Sequence, residues 1–281
     1  MQFKRIKRAV SGVLLLDKAH GISYNTALQQ VKRLFQAEKA GYTGNLDPIA
    51  TGLLPVCFGE ATKFSLALLD ADKTYRASVR LGQTTSTGDA EGEVTSSHEV
   101  IQSLAQVQQV LRQFTGAIEQ LPPMHSALKH QGKPLYEYIR KGETEEREVR
   151  KVVIHEICLE RFEGNELIIT VRCSKGTYIR TLAEDIGYVL GCGAHLFGLR
   201  RTAISQFRIE HAHTLAQLEA MDSAARDACL LPLDCMLQEL PSLELDSVQV
   251  ARMAQGQRLG MDLALPDGKV RLYDQGKFIG L

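Results

Sequence analysis

One carboxylate stands in a loop whose composition is typical of a ligand-binding turn. The loop, residues 41–52, contains three glycines, one proline and several small polar side chains, so its backbone can approach a ligand closely. Asp47 precedes Pro48, which restricts its backbone, and an apolar run follows at residues 53–58. Two interpretations remain open. The Asp47 carboxylate caps backbone N–H groups in an Asx-turn, or it acts as a preorganised nucleophile or base.

Sequence motifs for several other kinds of chemistry are absent. The chain has no G-x-x-x-x-G-K-[ST] phosphate loop, no G-x-S-x-G nucleophile elbow and no H-E-x-x-H pair. Its six cysteines form no C-x-x-C pair, which favours reduced, buried thiols and no metal. Two His–Cys pairs leave a structural zinc site as the less favoured alternative. These pairs are His155 with Cys158 and Cys192 with His195.

The composition describes a folded globular chain with uneven charge. Its 281 residues are 44% hydrophobic, which is enough for a packed core. Basic and acidic side chains number 33 each, but residues 1–40 hold eight basic against two acidic ones, and residues 202–246 hold two against eight. A face that meets phosphate would explain this asymmetry, and so would scattered solvated charge. The longest apolar runs, at 13–16 and 53–58, are too short to span a membrane, so we predict a cytoplasmic protein.

Hydrophobic periodicity predicts both strands and helices. Alternation and short apolar runs predict strands at residues 11–17, 53–58, 74–81, 148–159, 166–173, 270–273 and 277–279. Apolar spacings of three and four predict helices after Gly21, where residues 23–25 can supply the N-cap, and at residues 60–69, 100–114, 134–141, 177–190 and 246–255. Residues 82–92 are small, polar and acidic, which predicts a long loop.

Five segments in a fixed order carry a family resemblance that covers residues 10–240. They are GYTGNLDPIATGLLPVCFGEATK at 41–63, KTYR at 73–76, PPMHSALK at 122–129, SKGTYIRT at 174–181, and GAHL with LRRT within 193–202. Together they resemble the bacterial TruB-type tRNA pseudouridine synthases, which isomerise uridine 55 in the T-loop of tRNA. The common order of five separate motifs argues against coincidence.

The resemblance implies roles for five residues. Asp47 would be the carboxylate that attacks the nucleoside, and Arg180 would pair with it. Tyr75 would stack on the flipped base and take part in proton transfer, while Tyr178 and Leu199 would line the uracil pocket. Spacing alone would instead place Tyr75 and Leu199 in the core and Arg180 on the surface. Attack on uracil C6 and attack on ribose C1′ both remain open.

The implied reaction is an isomerisation, so the resemblance implies no cofactor. The N1–C1′ bond breaks, the uracil rotates, and a C5–C1′ bond forms. The base must first leave its stack, and an aromatic ring can recover part of that energy. Tyr42 stands where the family has histidine, and we predict that it contacts the substrate by stacking. Asn45 and His125 also depart from the family pattern, outside the implied catalytic set.

The expected partner is the T-stem-loop of tRNA, bound by a monomer with no membrane and no obligatory protein partner. Basic side chains in or beside the motifs would contact its phosphates. Those residues are Lys18, Lys129, Lys175, Arg200 and Arg201. Two other functions are open to test. One is an RNA-folding chaperone for tRNA, and the other is a glycosidase, which would need a second carboxylate facing Asp47.

The predicted fold is mixed α/β (α+β). A large, mostly antiparallel mixed sheet with flanking helices and a central cleft would form a catalytic domain at residues 1–240. Residues 241–281 would form a small C-terminal PUA-like tail that binds RNA, by resemblance to the longer bacterial members. The tail ends at Leu281, earlier than that pattern, as expected of a reduced module or of a truncated chain.

Overall fold

The computed structural model describes residues 7–126, 128–130, 132–134, 138, 147–260 and 267–281. Its α-helices are α1 (Tyr24–Leu34), α2 (Leu66–Asp70), α3 (Leu104–Gln113), α4 (Ile179–Leu190), α5 (Leu215–Ala220), α6 (Ser223–Ala228) and α7 (Ser247–Ala254). Short 3-10 helices lie at Gly59–Phe64, Ile209–His211 and Leu233–Leu237.

The strands make up the larger part of the regular structure. In the first half of the chain they are β1 (Gly12–Lys18), β2 (Ala40–Tyr42), β3 (Ala50–Phe58), β4 (Lys73–Leu81), β5 (Gln83–Thr85), β6 (Val94–Ser97), β7 (Gly116–Gln120), β8 (Lys129–His130) and β9 (Lys133–Pro134). In the second half they are β10 (Arg150–Glu163), β11 (Glu166–Cys173), β12 (Ala194–Ile204), β13 (Phe207–Arg208), β14 (His213–Thr214), β15 (Ser242–Leu245), β16 (Arg271–Asp274) and β17 (Lys277–Gly280).

One ten-stranded sheet organises the molecule. Eight of its strands run in the order β14-β1-β3-β12-β4-β11-β10-β7, while β2 pairs with β3 and β13 pairs with β12. The β1–β14 and β3–β12 pairs are parallel, and the other pairs are antiparallel. The prediction of a mixed α/β fold built on a mostly antiparallel sheet is therefore confirmed.

Successive side chains of a strand point to opposite faces of the sheet. Both faces of this sheet carry apolar side chains, and helices pack against them. In β1, Leu14 and Leu16 face one apolar cluster that includes Val31 of α1, whereas Val13 and Leu15 face another. The Ser23 hydroxyl accepts the backbone N–H of Thr26 and starts α1, as the sequence predicts. On the neighbouring part of the sheet, a third apolar cluster joins α3 and α4 to β4, β11 and β12.

The C-terminal segment forms a three-stranded sheet in the order β15-β16-β17. The Tyr273 hydroxyl of β16 donates to the Asp234 carboxylate at 2.5 Å, and the Arg271 guanidinium lies 3.6 Å from the same carboxylate oxygen. The Phe278 ring of β17 packs edge-on against Phe64 at 5.6 Å between centroids. These contacts join the small sheet to the segments around residues 59–64 and 233–237.

Several predicted elements differ from the structure in their bounds or type. The helix predicted at 60–69 divides into a 3-10 turn and α2, and the loop predicted at 82–92 begins with β5. β12, at the centre of the large sheet, is missing from the predicted strands. The helix predicted at 134–141 lies outside the described residues. Within the ranges that are described, no helix is long and apolar enough to cross a membrane.

Candidate functional site

A cleft of about 1030 Å³ lies between the Asp47 loop and the start of α4. Side chains of β4 and β12 line it, together with residues from segments 87–91 and 125–128. Because β3, β12 and β4 are neighbours in the sheet, the loop that enters β3 is brought beside them. The structure therefore brings these sequence-predicted site residues together in one cleft: Asp47, Tyr75, Tyr178, Arg180 and Leu199.

Asp47 and Arg180 form an ion pair within this cleft. An Arg180 guanidinium nitrogen lies 2.9 Å from Asp47 Oδ2. The Asp47 side chain is 44% exposed, whereas that of Arg180 is only 7% exposed. A charged hydrogen bond from a fixed guanidinium orients a carboxylate. Asp47 is thus aimed by a buried cation while it remains open to a ligand, which favours the reactive interpretation over the Asx-turn.

A second carboxylate holds the same guanidinium from inside the protein. Asp89 Oδ2 lies 3.3 Å from Nη1 of Arg180, and the Asp89 side chain is 3% exposed. Arg180 also donates to the carbonyl oxygens of His125 at 2.8 Å and Thr87 at 3.4 Å. The Thr87 hydroxyl in turn donates to Asp89 Oδ1 at 2.6 Å. Four oxygens therefore restrict the position of the Arg180 side chain.

Sequence reasoning missed Asp89, because residues 82–92 were predicted to be a loop without a site. The Asp89 carboxylate accepts the backbone N–H of Glu91 at 3.1 Å, an Asx-turn contact. A Thr-x-Asp-x-Glu segment could have indicated that local turn. The burial of Asp89 depends on a long-range pairing, since its backbone forms a bridge with Leu196 of β12.

Arg201 of β12 supports the Asp47 loop from within the core. Its side chain is 1% exposed and donates to the carbonyl oxygens of Leu53 at 2.8 Å and Asn45 at 3.1 Å. The approach is close, because a Cβ placed on Gly52 would lie 2.3 Å from the Arg201 carbonyl oxygen. Gly52 also has a φ of +99°, which L side chains rarely adopt. Glycine is therefore required where the loop enters β3.

The burial of Lys18 and Arg201 corrects the expectation that both contact phosphates. Lys18 is 1% exposed, and its ammonium donates to the carbonyl oxygens of Ala19 at 2.9 Å and Ile22 at 2.7 Å. Burial lowers the pKa of Lys18 to about 8. Each side chain donates to backbone carbonyls inside the fold, and Arg201 contributes to the wall of the cleft from this buried position. Their role is to stabilise the chain around the cleft.

We expect Arg201→Met to destabilise the fold, because it removes the buried guanidinium that donates to the carbonyl oxygens of Leu53 and Asn45. The Leu53 contact is buried, and an unsatisfied buried acceptor costs about 1–3 kcal/mol, so urea denaturation should give a free energy of unfolding lower by about 2 kcal/mol. Arg200→Met is the matched control, because the Arg200 side chain is 40% exposed in its pair with Asp17. The Arg200→Met variant should lose less than about 1 kcal/mol of unfolding free energy. Equal losses in the two variants would contradict the role given to Arg201.

The predicted aromatic pocket residues reach the cleft from different elements. Tyr75 of β4 lies opposite Arg201 of β12, and burial raises the pKa of its phenol. Tyr178 immediately precedes α4 with an extended backbone, φ −99° and ψ 109°, and burial also raises its pKa. Both phenols are therefore neutral near pH 7. Leu199 of β12 adds an apolar surface beside them.

Tyr42 lies against another tyrosine that the sequence reasoning did not select. The Tyr42 and Tyr24 rings are 4.5 Å apart between centroids and tilted by 46°. Tyr24, the first residue of α1, lines the cleft, whereas Tyr42 is absent from its lining. Burial and contact with Tyr24 raise the pKa of Tyr42 to about 12. Tyr24 is therefore the ring of this pair that lines the cleft, and the substrate contact of Tyr42 stays a prediction.

The other predicted phosphate contacts differ in how the structure places them. The Lys175 side chain is 60% exposed and lies 2.8 Å from the Asp70 carboxylate. Arg200 pairs with both Asp17 carboxylate oxygens, at 2.7 and 3.0 Å. The Lys129 side chain lies outside the described part of the chain. Lys175 and Arg200 are exposed enough to exchange a carboxylate partner for a phosphate.

The cleft offers nucleophilic and electrostatic chemistry. A guanidinium-held carboxylate, neutral phenols and an apolar wall suit attack on a flat, uncharged base or on its sugar. The two His–Cys pairs have other partners: His155 Nε2 lies 2.9 Å from Asp72, and His195 Nδ1 lies 3.0 Å from the Gln83 carbonyl oxygen. Among the described residues, no three His, Cys, Asp or Glu side chains are placed to hold a metal ion.

Family models match almost the whole chain. Residues 32–179 match the model described as TruB family pseudouridylate synthase (N terminal domain). Residues 180–238 match the tRNA pseudouridylate synthase B C-terminal domain, and residues 241–281 match the model described as Pseudouridine synthase II TruB, C-terminal.

Individual proteins show the same similarity. The chain is 55% identical to the tRNA pseudouridine synthase B of Methylobacillus flagellatus, over 100% of this chain and 93% of that protein. It is 53% identical to the enzyme of the same name from Neisseria meningitidis serogroup B, over 98% of this chain and 90% of that protein. Among solved structures, the archaeal box H/ACA sRNP Nop10–Cbf5 complex matches with a TM-score of 0.71 and 25% identity, over 96% of this chain and 78% of that one. A Cbf5–Nop10–Gar1 complex also gives 0.71, at 27% identity over 95% and 76%.

Proposed function

Because this chain belongs to the TruB family of tRNA pseudouridine synthases, we propose that it isomerises uridine 55 in the T-loop of tRNA, with Asp47 as nucleophile. The enzyme class is isomerase, and its reaction converts uridine to pseudouridine. Uridine 55 as the target and Asp47 as the nucleophile are proposed for this chain in addition to its enzyme class.

The observation that carries this proposal is the Asp47–Arg180 ion pair in an open cleft. A guanidinium at 2.9 Å orients the carboxylate, and 44% of the Asp47 side chain is open to a ligand. Tyr75 and Leu199 line the same space and offer a ring and an apolar wall to a uracil. A nucleophile and a base-binding pocket thus share one cavity of about 1030 Å³.

The proposed reaction balances without any added reactant. Asp47 supplies an electron pair to the target nucleotide, the N1–C1′ bond breaks, and the freed uracil turns within the pocket. A C5–C1′ bond then forms, C5 loses its proton, N1 gains one, and the carboxylate is released. Arg180 holds Asp47 throughout, and the neutral Tyr75 phenol stacks on the base and relays the proton. The substrate and product are isomers.

The target base must leave its stack in the T-loop to reach Asp47. Extruding a base costs a few kcal/mol, which stacking on Tyr75 and phosphate contacts to Lys129, Lys175 and Arg200 offset. Recognition depends on the folded shape of the T-stem-loop and its unstacked bases. We propose that the enzyme acts as a cytoplasmic monomer, with residues 1–240 for catalysis and residues 241–281 as the smaller RNA-binding module.

Mapping pseudouridine in tRNA from cells with and without this protein tests the proposed function. We expect deletion of its gene to remove the modification at uridine 55 in the T-loop of tRNA, and the wild-type gene to restore it. Other pseudouridines in the same molecules serve as the internal control. An unchanged T-loop modification in the deletion strain would contradict the proposed target.

A further inference from the structure

A buried glutamine holds the backbone just before α4. Gln120, the last residue of β7, is 2% exposed. Its Nε2 donates to the Tyr178 carbonyl oxygen at 3.2 Å, and its Oε1 accepts the Tyr178 backbone N–H at 3.0 Å. One side-chain amide therefore pairs with both polar groups of one residue, across 58 positions of sequence. Such a paired contact fixes orientation as well as distance.

The position of the Tyr178 backbone determines where α4 begins. Tyr178 is the N-cap of α4, and its own side chain makes no capping hydrogen bond. Arg180 follows two residues later, in the first turn of the helix. A shift of the Tyr178 backbone would therefore move the Tyr178 ring and the Arg180 guanidinium together. Catalytic side chains tolerate displacements of only about 0.5 Å.

The segment that follows Gln120 also contacts Arg180. Five residues further on, the His125 carbonyl oxygen accepts a hydrogen bond from the Arg180 guanidinium at 2.8 Å. The segment 120–125 thus contacts the start of α4 at two points, one on the backbone before Arg180 and one on its side chain. Both ends of the Gln120 side-chain amide are therefore used on Tyr178, one on its carbonyl oxygen and one on its N–H.

We propose that Gln120 is a positioning residue for the isomerisation, which sets Tyr178 and Arg180 against Asp47 through its paired hydrogen bonds to the Tyr178 backbone. The inference rests on the proposed function. Gln120 touches no reacting atom, so its removal should lower the rate of the chemical step and leave the affinity for RNA unchanged. A displacement of about 1 Å at a reacting group costs about 10²-fold in rate.

Three substitutions test this role by single-turnover kinetics on a T-stem-loop RNA. Gln120→Met removes both hydrogen bonds and should lower the rate by about 10- to 100-fold at every pH. Gln120→Glu keeps the shape, but an ionised carboxylate cannot donate to the Tyr178 carbonyl, whereas the neutral acid can. Its rate relative to wild type should therefore rise as the pH falls from about 8 to about 5. Gln102→Met is the control, since Gln102 donates to the Leu190 carbonyl oxygen at the far end of α4, and its rate should match wild type.

The outcomes separate this inference from the proposed function. A wild-type enzyme that leaves the RNA unmodified would overturn the proposed function before any variant is compared. An active wild type with a fully active Gln120→Met would overturn the positioning role alone. So would a Gln120→Glu to wild-type ratio that stays flat with pH, and this test holds even if the methionine variant fails to fold. A rate loss in Gln102→Met equal to that in Gln120→Met would also overturn the positioning role, because any weakening of α4 would then explain the lower rate.

Discussion

The variant Asp47→Asn should lose at least about 10⁴-fold in the single-turnover rate of pseudouridine formation, the scale expected when a nucleophile is removed. Asparagine keeps the side-chain size and can still accept a hydrogen bond from Arg180, but its amide is not a nucleophile. RNA affinity should stay near the wild-type value, because Asp47 holds no phosphate. Rapid-quench reactions followed by nucleoside analysis give the rate, and filter binding gives the affinity.

A carboxylate outside the cleft supplies the control for this substitution. Asp72 is 46% exposed and lies 2.9 Å from His155 Nε2, outside the residues that line the cleft. Asp72→Asn makes the same chemical change and should leave the rate unchanged. Formation of pseudouridine by Asp47→Asn at a rate close to wild type would contradict the assignment of the nucleophile.

The variant Arg180→Lys should lose about 10²- to 10³-fold in rate, although the positive charge is kept. The guanidinium holds two carboxylates and two carbonyl oxygens at once, which a single ammonium cannot reach. The lysine should remain with the buried Asp89, because an unpaired buried carboxylate is the more costly arrangement. Asp47 would then lose its orienting partner. The same single-turnover assay measures the loss.

The Asp89→Asn variant separates positioning from direct chemistry at this pair. Asparagine removes the buried charge that anchors Arg180 and leaves Asp47 and Arg180 themselves intact. We expect a loss of about 10- to 100-fold, smaller than that of Arg180→Lys, because only the placement of the guanidinium changes. A wild-type rate in Arg180→Lys would contradict the role of the guanidinium. A larger loss in Asp89→Asn than in Arg180→Lys would place Asp89 itself in contact with the substrate.

Local patterns predicted much of the scaffold. The alternation in residues 74–81 and the capping serine at position 23 depend on neighbours in sequence, so strand β4 and helix α1 followed from them. The Asp47 loop was also visible, because glycine, proline and small polar residues have strong local preferences. Its pairing with Arg180 came from family resemblance. Spacing placed Arg180 on the surface, since nothing local indicates a buried partner.

The remainder depends on contacts that are distant in sequence. β12 was missed because Arg200 and Arg201 interrupt its apolar pattern, and Arg201 can be buried because the carbonyl oxygens of Leu53 and Asn45 accept its hydrogen bonds. Asp89 became buried through the bridge to Leu196. Tyr178 and Arg180 share the cleft because Tyr178 is not yet helical, so the helical spacing rule does not apply to this pair.

Tritium release from a T-stem-loop hairpin, labelled at C5 of a single uridine, tests most directly whether Asp47 isomerises that nucleotide, because C5 loses its hydrogen only when the new C5–C1′ bond forms. With the label at position 55, the wild-type enzyme should release it fully, and Asp47→Asn should release none above background in the same time. A label at any other uridine of the hairpin should stay in the RNA. Release by Asp47→Asn at the wild-type rate, or release from another uridine alone, would contradict the assignment.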